Sequence, residues 1–125
     1  MKRKKLIKLN KLKKKAEAVF HKFIVLRDKN KCFTCGNNGN QAGHFRHGKL
    51  DFDEINLNCQ CVACNHFKSG ELGIYAIMLD KVYGAGTAVA LVSRAWQTSN
   101  KYSRDELNEI ITKYKEMINE LEAGI

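Results

Sequence analysis

Apolar residues recur at threes and fours at both ends of the chain and lose that rhythm in the middle. Over residues 4–27, Leu6, Leu9, Leu12, Ala16, Val19 or Phe20, Phe23 and Leu26 form one stripe with lysines on the other faces, which predicts an amphipathic helix. Asp28-Lys-Asn-Lys31 ends it. A second stripe of Leu107, Ile110, Ile111, Tyr114, Met117 or Ile118 and Leu121 follows Ser103-Arg-Asp-Glu106, whose spacing is that of a helix-starting capping box. These two faces are expected to pair, within one chain or across a dimer. Between them, residues 71–83 are predicted helical, with Leu72, Tyr75, Ala76 and Leu79 on one face. Tyr83-Gly84-Ala85-Gly86 breaks that helix, and Thr87 starts a shorter one through Trp96 that partly buries Val89, Leu91, Val92 and Trp96.

The middle is organised by cysteine. Cys32-Phe-Thr-Cys35 and Cys61-Val-Ala-Cys64 stand 25 residues apart, and each places two thiolates within reach of one ion. Four soft ligands suit a closed tetrahedral zinc site, structural because no coordination position is left open. The competing reading is two disulfides or four core cysteines. Cys35-Gly-Asn-Asn-Gly-Asn40 is rich in turn formers, Gln41-Ala-Gly-His-Phe45 reads as a strand, Arg46-His-Gly-Lys49 as its turn, and Leu50 to Ile55 as the returning strand. A helix is expected from Asn65 through Leu72. Two strands and a helix around one zinc make a small α+β fold, with a hairpin too short to stand without the metal. Three segments follow: a basic helix (1–31), a zinc-bound core (32–84) and a C-terminal helical region (85–125) able to dimerise.

Charge then narrows the partner. The chain carries a net charge of +9, with 22 Lys+Arg against 13 Asp+Glu, and the first fifteen residues contain no acid. Such a bias favours a polyanion, nucleic acid before an anionic membrane surface. No apolar run is long enough to span a bilayer, and the start is too lysine-rich and periodic for a signal peptide. A fifth cysteine, Cys59, does not fit a secreted disulfide framework, so a reducing cytosol is the expected compartment.

Two residues between and beside the cysteine pairs are candidates for chemistry. His44 lies on the predicted strand next to Gly43, where a neutral imidazole could activate water against a phosphodiester; an extra zinc ligand or a packing histidine is the alternative. Asn65 follows the last cysteine, where its carboxamide oxygen could ligate a hard cation such as Mg2+ or simply cap the helix. His21, inside the first helix, reads as amphipathic filler.

Asn56-Leu-Asn-Cys-Gln-Cys-Val-Ala-Cys-Asn-His-Phe-Lys68 resembles the second half of the HNH, or ββα-metal, nuclease motif. Together with Cys32-Phe-Thr-Cys-Gly36, Gln41-Ala-Gly-His-Phe45, Phe52-Asp53, Ser69-Gly70 and Tyr83-Gly84, it is similar to the phage lambda NinG (Rap) recombination nuclease family. The specific part spans residues 32–84. The resemblance implies a zinc-stabilised ββα-metal core in which His44 is the general base, Asn56 braces the hairpin, and Asn65 ligates a catalytic Mg2+ or Mn2+ opposite the imidazole. It implies a homodimeric endonuclease selective for branched DNA such as Holliday junctions, in the phage or bacterial host cytosol. Gly43 stands where many HNH sites carry a metal-holding Asp or His. A second protein ligand must therefore come from Asp51, Asp53, His47 or His66, and Asp53 ranks first as a carboxylate near the motif. Arg46, Lys49, Lys68, Lys13 and Lys14 are the candidate phosphate contacts. The rival functions are a non-catalytic zinc module that binds nucleic acid, and a scaffold that assembles through its terminal helices.

Overall fold

The computed structural model describes residues 6–124. The elements run α1 (Leu9–Arg27), β1 (Gln41–His44), β2 (Leu57–Gln60), a π-helical turn (Ala63–Phe67), α2 (Leu72–Tyr83), α3 (Thr87–Gln97) and α4 (Arg104–Glu122). Of the helix expected over 4–27, residues 4 and 5 lie outside the described residues, and Leu6 and Leu9 are exposed.

The two long helices pair within the chain. Leu12 and Ala16 pack with Leu107 and Ile111, while Phe20, Phe23 and Ile24 pack with Tyr114 and Ile118, so α1 and α4 run side by side in the same direction. Phe20 meets Tyr114 edge-on at 4.7 Å between ring centroids. The start of α4 is the expected capping box: Ser103 Oγ accepts from Glu106 N at 3.1 Å and Glu106 Oε1 accepts from Ser103 N at 3.0 Å. The two terminal stripes thus pack on each other within one chain over most of their length.

The α1–α4 pair lies on one face of an antiparallel ribbon. Gln41 pairs with Gln60, Ala42 with Cys59, Gly43 with Asn58 and His44 with Leu57. Leu57 and Ala42 enter the cluster around Phe20 and Tyr114. On the other side, α2 and α3 meet at 109° and pack Tyr75, Leu79, Leu91 and Ala95 with Phe45 and Leu50. No single described helix is long and apolar enough to cross a membrane.

Three expectations are corrected. The returning strand is Leu57–Gln60, not Leu50–Ile55, because Asp53 Oδ1 accepts from the amides of Ile55 and Asn56, both at 2.9 Å, and curls that segment into turns. The helix expected from Asn65 through Leu72 is a π-helical turn over Ala63–Phe67, separated from α2 by a turn through Ser69 and Gly70. On α3, Leu91 is buried and Val92 half-buried, but Val89 and Trp96 stand 73% and 80% exposed.

Candidate functional site

The four cysteines converge. Among the described residues, Cys32, Cys35, Cys61 and Cys64 are the one group of three or more His, Cys, Asp or Glu side chains whose ligand atoms all lie within 4.8 Å of one another. Cys35 Sγ and Cys61 Sγ stand 3.6 Å apart, against roughly 3.8 Å for the edge of a tetrahedron of sulfurs around zinc. Thiols packed this closely cannot all ionise unaided. Burial pushes Cys32 up, but hydrogen bonds from Thr34 and the backbone outweigh it and bring the thiol down to about 6. Burial and its sulfur neighbours hold Cys64 up at about 12. A soft divalent cation is what would let all four become thiolates. Cys59 is not part of this group: it is a fully buried strand residue whose amide donates to Asp28 Oδ2 at 2.7 Å.

His44 closes β1 and turns toward α1. Its ring lies 5.8 Å from that of His21 and 5.5 Å from that of His47, and its Nε2 lies 3.8 Å from Asp51 Oδ1. The other oxygen of Asp51 pairs with Lys13 Nζ at 2.9 Å. Burial, with help from the neighbouring His21 and against the pull of Asp51, lowers the His44 pKa to about 4. The imidazole is therefore neutral at neutral pH, as a proton acceptor must be. His21 is more than filler, because its ring faces His44 and its Nε2 is buried without a hydrogen-bond partner among the described residues.

The loop after His44 is held by Asn56. This fully buried carboxamide donates to the carbonyls of Arg46, Lys49 and Leu50 at 3.1, 3.3 and 3.1 Å, and accepts from Arg46 N at 2.8 Å. Replacing Asn56 by alanine would strand three carbonyls and an amide. We expect a loss of roughly 2–4 kcal/mol in urea unfolding, since unmet buried groups cost about 1–3 kcal/mol each and some will find water.

Asn65 sits within the π-helical turn and makes no side-chain cap, so the capping alternative does not apply. Its Nδ2 donates to Gln41 Oε1 at 2.9 Å, and its Oδ1 lies against Gly43. The period of two along β1 therefore separates the two candidates. His44 faces α1, whereas Asn65 meets Gln41 and Gly43 on the other side. They flank one strand edge instead of facing each other across a gap. A groove of about 610 Å³ opens beside this edge, and His21, Gln41, Ala42 and Asn65 are among the residues that line it.

Asp53 does not fit the ligand position expected for it. Its Oδ1 accepts the two backbone amides already described, and its Oδ2 pairs with Arg94 at 3.0 Å. His47 and His66 are exposed.

The family model described as the Bacteriophage Lambda NinG protein matches residues 1–123 of this sequence. The chain belongs to the NinG family. It is 31% identical to protein ninG of Salmonella phage P22 over 116 residues, covering 86% of this chain and 56% of that protein. Protein ninG of Escherichia phage lambda is 29% identical over 116 residues, with 86% of this chain and 56% of that protein covered. The chain thus spans a little over half the length of these relatives. No solved structure matches it.

In this NinG-family chain the five basic residues expected to contact phosphate fall into two groups. Lys13 is spent on Asp51 and lies 5.6 Å from the centre of the Tyr102 ring, and Lys49 Nζ donates to Thr98 O at 2.8 Å. Both of these expected phosphate contacts therefore already have partners within the fold. Lys14 and Lys68 are exposed, and Arg46 is half-buried; none forms an ion pair among the described residues.

Pattern reading missed a buried polar network that fixes the ribbon between α1 and α2. Arg27 donates to the carbonyls of Glu54 and Leu57 and to Asn58 Oδ1, at 2.6, 3.1 and 3.0 Å. Asn58 Nδ2 donates to Tyr75 Oη at 3.1 Å, and Tyr75 Oη donates to Gly43 O at 2.8 Å, next to His44. The available signal was the alternation Asn56, Asn58, Gln60: three amides leading into and along β2, all 0–1% exposed.

Proposed function

We propose that this NinG-family chain is a metal-dependent DNA endonuclease of the ββα-metal type, with residues 32–84 as its catalytic core and the flanking segments 1–31 and 85–125 as supports. The observation that carries this reading is the strand edge at residues 43–44. A buried imidazole lowered to about 4 stands on one side, and a carboxamide oxygen lies against a bare glycine on the other. The cysteine cluster holds a structural zinc that ties this edge to the π-helical turn.

In the reaction, His44 takes a proton from water as the water oxygen attacks phosphorus in line. The bond to the 3′ oxygen breaks, that oxygen takes up a proton from solvent to become a 3′-hydroxyl, and a 5′-phosphate remains. Asp51, 3.8 Å from the imidazole, favours the imidazolium that forms. Asn56 keeps the loop beyond His44 in place, and Asn65 offers an oxygen to Mg2+ or Mn2+. Such an ion, when bound, offsets negative charge growing on the phosphate oxygens. Arg46, Lys14 and Lys68 hold backbone phosphates, which position DNA without reading its sequence.

Branched DNA, Holliday junctions included, is the proposed substrate class, on the strength of the family resemblance together with the basic N-terminal segment. Coordinated cuts on such a substrate call for a homodimer. With α1 and α4 paired to each other, α2 and α3 offer apolar side chains to a second copy, with Ile77, Val89 and Trp96 exposed.

A nicking assay on four-way, flapped and linear DNA, with zinc-loaded protein and added Mg2+ or Mn2+, tests the reading. Cleavage should require the added ion and favour the branched substrates. Binding measured without that ion should weaken steeply as salt rises, as phosphate-dominated affinity does. Salt-sensitive binding with no cleavage under any divalent ion would leave the non-catalytic zinc module as the better description.

A further inference from the structure

The ribbon face turned toward the π-helical turn holds a buried oxygen with nothing to accept. Gln60 is fully buried, and its Nε2 donates to Gly70 O at 2.9 Å and to Thr34 Oγ1 at 3.1 Å. A carbonyl oxygen only accepts, so the contact with Gly70 decides which end of the carboxamide is nitrogen and where Oε1 must point. That Oε1 has no hydrogen-bond partner among the described residues. It points over Gly43. A Cβ built there would lie 1.8 Å from Gln60 Oε1 and 3.0 Å from Asn65 Oδ1. Two amide oxygens, that of Gln60 fixed through its NH2 bond to Gly70 O and that of Asn65 beside it, thus converge on the place a side chain at position 43 would fill. A buried acceptor without a donor calls for a partner, and a cation is one that such an oxygen can serve. Carbonyl-type oxygens are ligands that hard divalent cations accept.

We propose that Gln60 Oε1 is a protein ligand of the catalytic divalent ion beside Asn65 Oδ1, supplying from β2 the oxygen that glycine at position 43 cannot. The proposal rests on the reading of Asn65 as a ligand given above. Because both ligands are neutral, they leave the ion its full charge. The phosphate of bound DNA then becomes the anionic ligand, and ion and DNA should bind cooperatively.

Calorimetric titration of Mn2+ into the zinc-loaded protein, with zinc content measured alongside, tests the assignment. Gln60→Ala and Asn65→Ala should each weaken Mn2+ binding at least tenfold at unchanged zinc content. The double variant Gly43→Asp/Gln60→Ala should recover it, because a carboxylate at position 43 enters the space Gln60 leaves. Wild-type affinity in Gln60→Ala, with the loss confined to Asn65→Ala, overturns the role of Gln60 and leaves Asn65 standing. Wild-type affinity in both variants overturns the two together. If Gln60→Ala cannot retain zinc, the wild-type protein decides: Mg2+ should shift the side-chain carbonyl carbons of both Gln60 and Asn65 in NMR spectra. A shift at Asn65 alone refutes the proposal.

Discussion

Replacing His44 with alanine is expected to lower DNA cleavage by about 10²–10⁴-fold, the range over which a positioned general base contributes, while zinc content and DNA affinity stay at wild-type values. The side chain is separable from the scaffold. Asn56 holds the following loop through its backbone, Tyr75 holds the Gly43 carbonyl, and the ribbon pairing of residue 44 uses main-chain groups alone. Cleavage within a few-fold of wild type in His44→Ala would remove the imidazole from the mechanism. Undiminished binding beside lost cleavage would separate the nuclease from a zinc module whose basic surface does the work.

The pH dependence follows from the same buried ring. His44 titrates at about 4 in the folded chain, against an ordinary value of 6.5, with burial as the main cause. The proposed mechanism uses the neutral form, so kcat/KM should hold down to about pH 5 and fall with an acid limb near 4. Folding excludes the charged ring, so the unfolded chain takes up this proton first as pH drops below 6.5. The stability tied to the neutral ring is present above 6.5 and is lost as pH falls toward 4, by up to about 2 kcal/mol at pH 5. His44→Gln should lack that increment. The difference between the two proteins in urea unfolding at pH 7 and pH 5, zinc saturating, measures it.

Local pattern found what is locally determined. The α1 and α4 stripes, the capping box at Ser103 and Glu106, and the two cysteine pairs were all legible, because each depends on spacing along a single element. The second strand was not. Leu50 to Ile55 reads as apolar and extended, but Asp53 captures two amides of that segment and turns it, and no periodicity reveals such a capture. Asn56, Asn58 and Gln60 alternate with apolar residues, which on a half-exposed strand would mark the wet face. Here α2 and the π-helical turn cover that face, so three amides become interior braces, and one of them lines the proposed ion site. Charge misled for a related reason. Lys13 and Lys49 look like surface cations until the fold brings Asp51 to one and the Thr98 carbonyl to the other. The separation of His44 from Asn65 across a strand was implicit in the period of two, once the strand itself was placed.

Removal of the metal proposed for the cysteine cluster is expected to have the largest effect on the fold. Structural zinc sites contribute about 10–16 kcal/mol at neutral pH, as much as a domain's whole stability. The dependence here is geometric. Each strand has four residues, and a ribbon of that length does not persist alone. Its connection to the π-helical turn runs through Cys61 and Cys64, while Cys32 and Cys35 anchor the segment between α1 and β1. Without the cation, Cys64, whose thiol titrates at about 12, stays protonated beside the readily ionised Cys32, and four crowded sulfurs lose their reason to meet. A strong zinc chelator, or Cys64→Ser, should therefore abolish the cooperative thermal transition and the near-ultraviolet signal of Tyr75 and Tyr83. Much of the far-ultraviolet helical signal should survive in α1 and α4, whose contacts with each other do not pass through the cysteines. Zinc should be found at one ion per chain before chelation, and adding it back should restore the transition where Mg2+ does not. An undisturbed melting curve after complete metal removal would show that packing alone assembles residues 32–64, and the zinc would then have no structural role.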